Sequence, residues 1–156
     1  MTLGGHLALH GHHLIYGGGR IGLMGLLADT FLENKAFVTG VIPEFLLNKE
    51  LGHNGLTECL VVETMHERKM KMAELADAFL ALPGGWGTLD ELAEIMTWRQ
   101  LGIIRKPIFI FNINHFFDPL FSQLRLMTKE GFVNHACFSY LTIFDQAQEI
   151  VKALSK

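Results

Sequence analysis

Two glycine-rich segments and a cluster of cations between them hold the residues of this sequence best suited to chemistry. The first segment, Gly17-Gly18-Gly19-Arg20-Ile21-Gly22, satisfies G-x-G-x-x-G ahead of a helical pattern. Glycines there let the backbone turn sharply and approach a ligand, while the helix beyond offers unpaired N–H groups to an anion. A tight strand-to-helix connection with no ligand accounts for the same residues. The acid that would hold a dinucleotide's ribose, about 20 residues on, is poorly met, because Glu44 comes late and follows Pro43. A dinucleotide site is disfavoured.

The second segment, Pro83-Gly84-Gly85-Trp86-Gly87-Thr88-Leu89-Asp90-Glu91, follows an apolar run and opens a helical pattern. Its amides converge on an anion at the carboxyl edge of a sheet, Thr88 adds a hydroxyl, and a phosphate fits better than a neutral group. The competing explanation is local: Thr88-x-x-Glu91 is a capping box, with Thr88 as N-cap and Glu91 reaching back to it. Asp90 and Glu91 would be favoured in a first helical turn by the macrodipole alone, so spacing leaves a catalytic carboxylate and a cap both open. Between the two segments, Thr64-Met65-His66-Glu67-Arg68-Lys69-Met70-Lys71-Met72 begins another helix. Cations at a helix N-terminus oppose its dipole, so Arg68 and Lys69 call for an anion or carboxylate to answer them. Met65, Arg68 and Met72 share one helical face, and the methionines read as core or as a contact with a second chain.

Positioning these groups requires strands that end at the turns and helices that start from them. About six short runs, rich in β-branched and aromatic residues, read as buried parallel strands: 13–16, 36–42, 60–62, 78–82, 107–111 and 141–144. Helical spacing fills 23–34, 65–76, 89–101, 119–130 and 147–154, with the tail of a helix at 2–9. This alternation predicts an α/β fold, a Rossmann-like doubly wound parallel sheet in a single domain over residues 1–156. Opening on a helix tail rather than a strand is unusual for such a sheet.

Composition narrows the function. The sequence has 156 residues, 49% hydrophobic and 19% charged, which suits a globular chain rather than a disordered one. A net charge of -3 leaves no broad basic face for nucleic acid. No apolar run reaches the ~20 residues that cross a bilayer, so no membrane partner is expected. Cys59 and Cys137 lack metal or disulfide spacing, and a reducing cytoplasm is the expected location. His10, His12 and His13 alternate sides of an extended segment, which argues against a metal site. His66 beside Arg68 is a better neighbour for a site, while Trp86 either flanks a ligand or covers the loop.

With these segments in place, the sequence resembles the LOG (Lonely Guy) family of cytokinin riboside 5'-monophosphate phosphoribohydrolases, some members of which carried the label lysine decarboxylase. The resemblance covers most of the chain. It is carried by Leu14 to Gly19 with Gly22-Leu23-Met24-Gly25, by Gly40-Val41-Ile42-Pro43, by Met65-His66-Glu67-Arg68-Lys69 and by P-G-G-x-G-T-x-x-E at Pro83 to Glu91. Agreement continues through Thr97-Trp98, Gln100-Leu101-Gly102, Lys106-Pro107 and Gly131-Phe132.

The resemblance implies hydrolysis of the N-glycosidic bond of a nucleoside 5'-monophosphate, AMP or a cytokinin riboside monophosphate, to free base and ribose 5-phosphate. It places Arg68 and Glu91 at catalytic positions and Glu50, Lys69, Gly84, Gly85, Trp86, Gly87, Thr88, Leu89, Asp90 and Thr97 at substrate-binding ones. It implies a homodimer with the site near the subunit interface, and the chemistry requires no metal or organic cofactor. Against the family, the front is short: the first strand, its loop and most of the first helix are missing here. That departure predicts either an internal start in a longer gene or a truncated form, and it supports the alternative of a degenerate nucleotide-binding module without turnover. Retention of Arg68 together with Glu91 favours the hydrolase. A lysine decarboxylase has little support, since no lysine sits in a recognisable Schiff-base context.

Overall fold

Alternation of short apolar runs with amphipathic stretches becomes six strands and seven α-helices among the described residues of this computed structural model, which are 2–47, 49 and 51–155. They fall into two compact units, one running to Ala76 and the other from Asp77 to Leu154, each built on a three-stranded parallel sheet.

The first unit comprises α1 (Leu3–Leu9), β1 (Leu14–Tyr16), α2 (Gly22–Glu33), β2 (Val38–Pro43), α3 (Glu44–Leu47), β3 (Glu58–Val62) and α4 (Met65–Leu75). Its strands lie in the order β1-β2-β3, with Tyr16, Gly40 and Cys59 in register across the sheet. Central β2 is buried at every position, as a strand covered on both faces must be. Its polar Thr39 is satisfied: the hydroxyl donates to Glu58 Oε2 and meets His13 Nε2, each at 2.9 Å. Helices α2 and α4 pack on this sheet, and α1 packs on α2.

The second unit comprises β4 (Phe79–Ala81), α5 (Trp86–Gln100), β5 (Ile108–Phe111), α6 (Asp118–Lys129), β6 (Leu141–Phe144) and α7 (Ala147–Leu154), in the strand order β4-β5-β6. Alternation along the strands sends Phe79, Ala81, Ile108, Ile110 and Leu141 to one face. They pack there against Leu92, Ile95 and Met96 of α5 and Phe117, Leu120, Phe121 and Leu124 beside or on α6. Each fully buried Ile or Phe in this cluster contributes roughly 1.5 to 3 kcal/mol. Phe109, turned to the other face, meets Phe144 with ring centroids 5.7 Å apart.

The α/β class with parallel sheets is therefore as the sequence indicates, and most element ends agree within a residue or two. Three differences matter. The six strands form two sheets, and β1 and β4 each have one edge without a strand partner among the described residues. Short α3 and the 3-10 turns at Ile113–His115 and His135–Tyr140 are too brief to leave a periodic signal. Helix α5 begins at Trp86, three residues before the expected start.

Helix ends are sharply defined. Helices α1, α2, α5 and α6 all close with paired backbone bonds of the Schellman type, for example Lys35 N–H to Leu32 O at 2.9 Å and Ala36 N–H to Phe31 O at 3.0 Å. Gly11, Gly102 and Gly131 take the left-handed position in three of them, but in α2 it falls to Lys35 with φ 57°. A side chain in that region costs about 1 to 2 kcal/mol, partly offset by glycine's greater freedom when unfolded. Lys35→Gly is expected to raise unfolding stability in urea by about 0.5 to 1 kcal/mol, and a loss of stability would contradict this account of the turn.

Candidate active site

Each unit places a glycine after a parallel strand, Gly17 directly after β1 and Gly84 three residues beyond the end of β4, and fills the space of the missing side chain with a polar group from a helix. In the first unit β1 runs directly into Gly17, where a Cβ would collide with Nη2 of Arg68. The guanidinium therefore meets the start of the glycine turn with its Nη2 edge, and its Nη1 donates to Met65 Sδ at 3.7 Å. Arg68 is 9% exposed, while Met65 and Met72 on its face are half-buried and Met70 is 53% exposed, so the arginine supplies the buried side chain of the first two turns of this helix. Lys69 follows it, half-buried, and His66 is exposed.

The N-terminus of α4 explains how two cations are accommodated there. Thr64 is the N-cap and its hydroxyl accepts from Glu67 N–H at 3.1 Å, while Glu67 Oε2 accepts from Glu63 N–H at 2.8 Å. The T-x-x-E spacing occurs at 30–33, inside α2, and again at 64–67 and 88–91, and capping is realised here, at Thr64 and Glu67, with Glu67 also answering the local positive charge.

At 88–91 the capping-box expectation is corrected. The N-cap of α5 is Gly85, which brings no side-chain bond, and Thr88 lies inside the helix. With Gly85 at the cap position, Thr88 is free of it. Its hydroxyl instead sits over Gly84, where a Cβ would meet Thr88 Oγ1. The first intrahelical bond runs from Leu89 N–H to Gly85 O at 3.2 Å, leaving the N–H groups of Trp86, Gly87 and Thr88 without intrahelical acceptors. Nothing lies within 4 Å of a Cβ built on Gly85 or Gly87. Converging amides, a hydroxyl and open space form a seat for an anion.

Glu91 stands three residues beyond Thr88 on the same helix, about 60° round its axis and ~4.5 Å along it, and is half-buried. Asp90 is exposed, Leu89 is partly exposed, and Trp86 is 88% exposed and does not cover the loop. Thr97 is not brought to the loop within this unit: it lies half a helical circumference from Thr88, and its hydroxyl donates to Ala93 O at 2.8 Å. Glu50 lies outside the described residues. The histidines near the front are directed to separate partners, His10 Nδ1 to His6 O and His13 Nε2 to Thr39. No cluster of three or more metal-binding side chains occurs among the described residues.

Comparison with known proteins places this geometry. A family model described as "Possible lysine decarboxylase" matches residues 24–154. The chain is 43% identical, over its full length, to the cytokinin riboside 5'-monophosphate phosphoribohydrolase LOG of Oryza sativa subsp. japonica. It is 45% identical over 142 residues to the enzyme of that name from Rhodococcoides fascians. The chain belongs to the LOG family. It covers 64% of the length of the rice relative, 72% of the Rhodococcoides one and 73% of an Arabidopsis thaliana relative that is 42% identical. The fold is also that of the molybdenum cofactor binding protein of Rippkaea orientalis, with a TM-score of 0.70, 20% identity and coverage of 99% of this chain and 84% of that one. The molybdenum cofactor carrier protein of Chlamydomonas reinhardtii has a TM-score of 0.69 at the same identity, covering 97% of this chain and 81% of its own.

Sequence reasoning missed two side chains beside the first glycine turn. His53 donates from its backbone N–H to Gly18 O at 2.9 Å, and its Nε2 meets Asp29 Oδ1 at 2.9 Å. Its setting in Gly52-His53-Asn54-Gly55 signals only a loop. Tyr16, 7% exposed, has a buried hydroxyl with no hydrogen-bond partner among the described residues. Burial, then the Asp29 carboxylate and Cys59, push the Tyr16 phenol up.

Two outcomes follow from these contacts. Gly84→Ala forces a methyl against the Thr88 hydroxyl and is expected to cost about 1 to 3 kcal/mol in denaturant unfolding, with less than about half that loss in a Thr88→Ala background. Equal losses in both backgrounds would mean that the two residues are not in contact. Because the Tyr16 phenol is raised on folding, its contribution is complete below the unfolded value near pH ~10 and is lost as pH rises above it. Unfolding measured from pH 8 to 11 should show the native protein losing stability relative to Tyr16→Phe only in the alkaline range, and parallel curves would contradict the buried phenol.

Proposed function

We propose that this chain hydrolyses the N-glycosidic bond of a purine or cytokinin nucleoside 5'-monophosphate, releasing the free base and ribose 5-phosphate. The observation that carries it is the uncapped start of α5, where three amides and the Thr88 hydroxyl border open space with Glu91 one helical turn further on. The relatives bearing the phosphoribohydrolase name support the same reaction.

In this scheme Gly84, Gly85, Trp86, Gly87 and Thr88 bind the 5'-phosphate, and Leu89, Asp90, Lys69, Glu50 and Thr97 complete the substrate contacts. Favourable interaction of an anion with the helix start is worth about 0.3 to 2 kcal/mol, and it converts remote binding energy into orientation of the ribose. As the bond from C1' to the base nitrogen breaks, its electron pair leaves with the base and positive charge builds on the ribose ring. Glu91 stabilises that charge and takes a proton from the water that attacks C1'. The departing base regains a proton. Arg68 stays a cation and acts by position and charge rather than as a proton donor. Residues 1–156 serve this one reaction as a single domain, in a cytoplasmic homodimer. The free state of both Cys59 and Cys137 is compatible with a reducing compartment, and no described helix is long and apolar enough to cross a membrane.

Incubation with AMP and with isopentenyladenosine monophosphate should release free base, and adenosine should be a poor substrate. Tight binding of both nucleotides with no base release would leave a binding module in place of a hydrolase. Glu91→Gln should lower turnover by ~10² to 10⁴ while the nucleotide still binds, and unchanged turnover would remove Glu91 from the proton transfer.

A further inference from the structure

We infer that His53 is a positioning residue for Arg68, acting through the first glycine turn. The turn is held from one side by the segment 51–53: Arg20 N–H donates to Leu51 O at 3.1 Å, Gly19 and Gly52 form an antiparallel bridge, and His53 N–H donates to Gly18 O at 2.9 Å. What anchors that segment is the His53 side chain. It is 9% exposed, and its Nε2 lies 2.9 Å from Oδ1 of Asp29, on the helix into which the turn leads. Turn, helix α2 and segment 51–53 thus close a ring to which His53 and Asp29 contribute a side-chain link.

Arg68 reads the position of that ring. Its guanidinium rests on Gly17, the residue before the pinned Gly18, with no side chain between them. A buried guanidinium that packs on bare backbone follows any shift of that backbone, and its planar fork has little tolerance for rotation away from a ligand. Releasing His53 leaves the two backbone bonds in place, so the turn loosens without being lost. A misplacement of about 1 Å at a group that orients substrate can cost ~10²-fold in rate.

The assignment rests on the substrate role proposed for Arg68, so its test needs one readout that does not depend on turnover. In the full chain, the Arg68 Nε–Hε resonance, identified by its loss in Arg68→Ala, should move in His53→Ala and in Asp29→Ala. It should return towards its native position in His53→Gln, whose amide N–H can still donate to Asp29. With AMP as substrate, His53→Ala should lower kcat/KM about 10- to 100-fold, His53→Gln should recover most of it, and in an Arg68→Ala background His53→Ala should cost less than about 2-fold. An unmoved Arg68 resonance in both single variants, or fully additive losses with Arg68→Ala, would overturn the inference. If the native chain releases no base, the hydrolase proposal fails while the resonance shifts still decide the link between His53 and Arg68. Should His53→Ala not fold, Asp29→Ala carries the same comparison.

Discussion

Absence of a side chain at two glycines that follow parallel strands is the constraint on which the rest of this structure depends. Gly17 and Gly84 are the positions where backbone must accept a polar group at van der Waals range, the Arg68 guanidinium in one unit and the Thr88 hydroxyl in the other. Any Cβ there displaces the group that gives its unit a chemical character. The glycines are therefore needed less for unusual backbone angles than for the close approach itself, which is the role glycine also plays where phosphate is to be met by backbone.

Both placements fit the logic of a parallel sheet. Side chains and amides at the carboxyl ends of parallel strands face the same edge, and helices that start there present their positive ends to it. The cost is electrostatic. Cations at the start of α4 would be unfavourable alone, and Thr64 with Glu67 answers them through a cap and a carboxylate in the first turn. The start of α5 is treated in the opposite way: no side chain caps it, no acid lies in its first turn, and its amides are left open. One helix start is closed by its own residues and the other has no side-chain cap.

Much of this was legible in the residues. Short apolar runs rich in β-branched and aromatic residues located all six strands, though only β2 is buried at every position, and Leu141–Phe144 and Ala147–Leu154 were placed to the residue. Short elements such as Glu44–Leu47 were not, since four residues carry no period. The T-x-x-E pattern shows where local reading fails. It occurs at 30–33, 64–67 and 88–91, and nothing in the tetrapeptides says which one caps; only at 64–67 does a helix start fall on the Thr, since α5 starts at Trp86 and 30–33 lies inside α2. His53 was invisible for a related reason. Its importance lies in contacts with Gly18 and Asp29, 35 and 24 positions away, which no local pattern encodes. Buried Arg68 was recognisable as anomalous but not as buried against Gly17, because that contact joins residues on a strand end and a helix more than 50 positions apart.

The central claim is that the open amides of α5 bind the 5'-phosphate and so set the ribose before Glu91. Backbone amide resonances of Trp86, Gly87 and Thr88, followed during titration, test it most directly. The account predicts that they shift and saturate with AMP and with ribose 5-phosphate and stay in place with adenosine. Saturable AMP binding that leaves these three amides unmoved would contradict it.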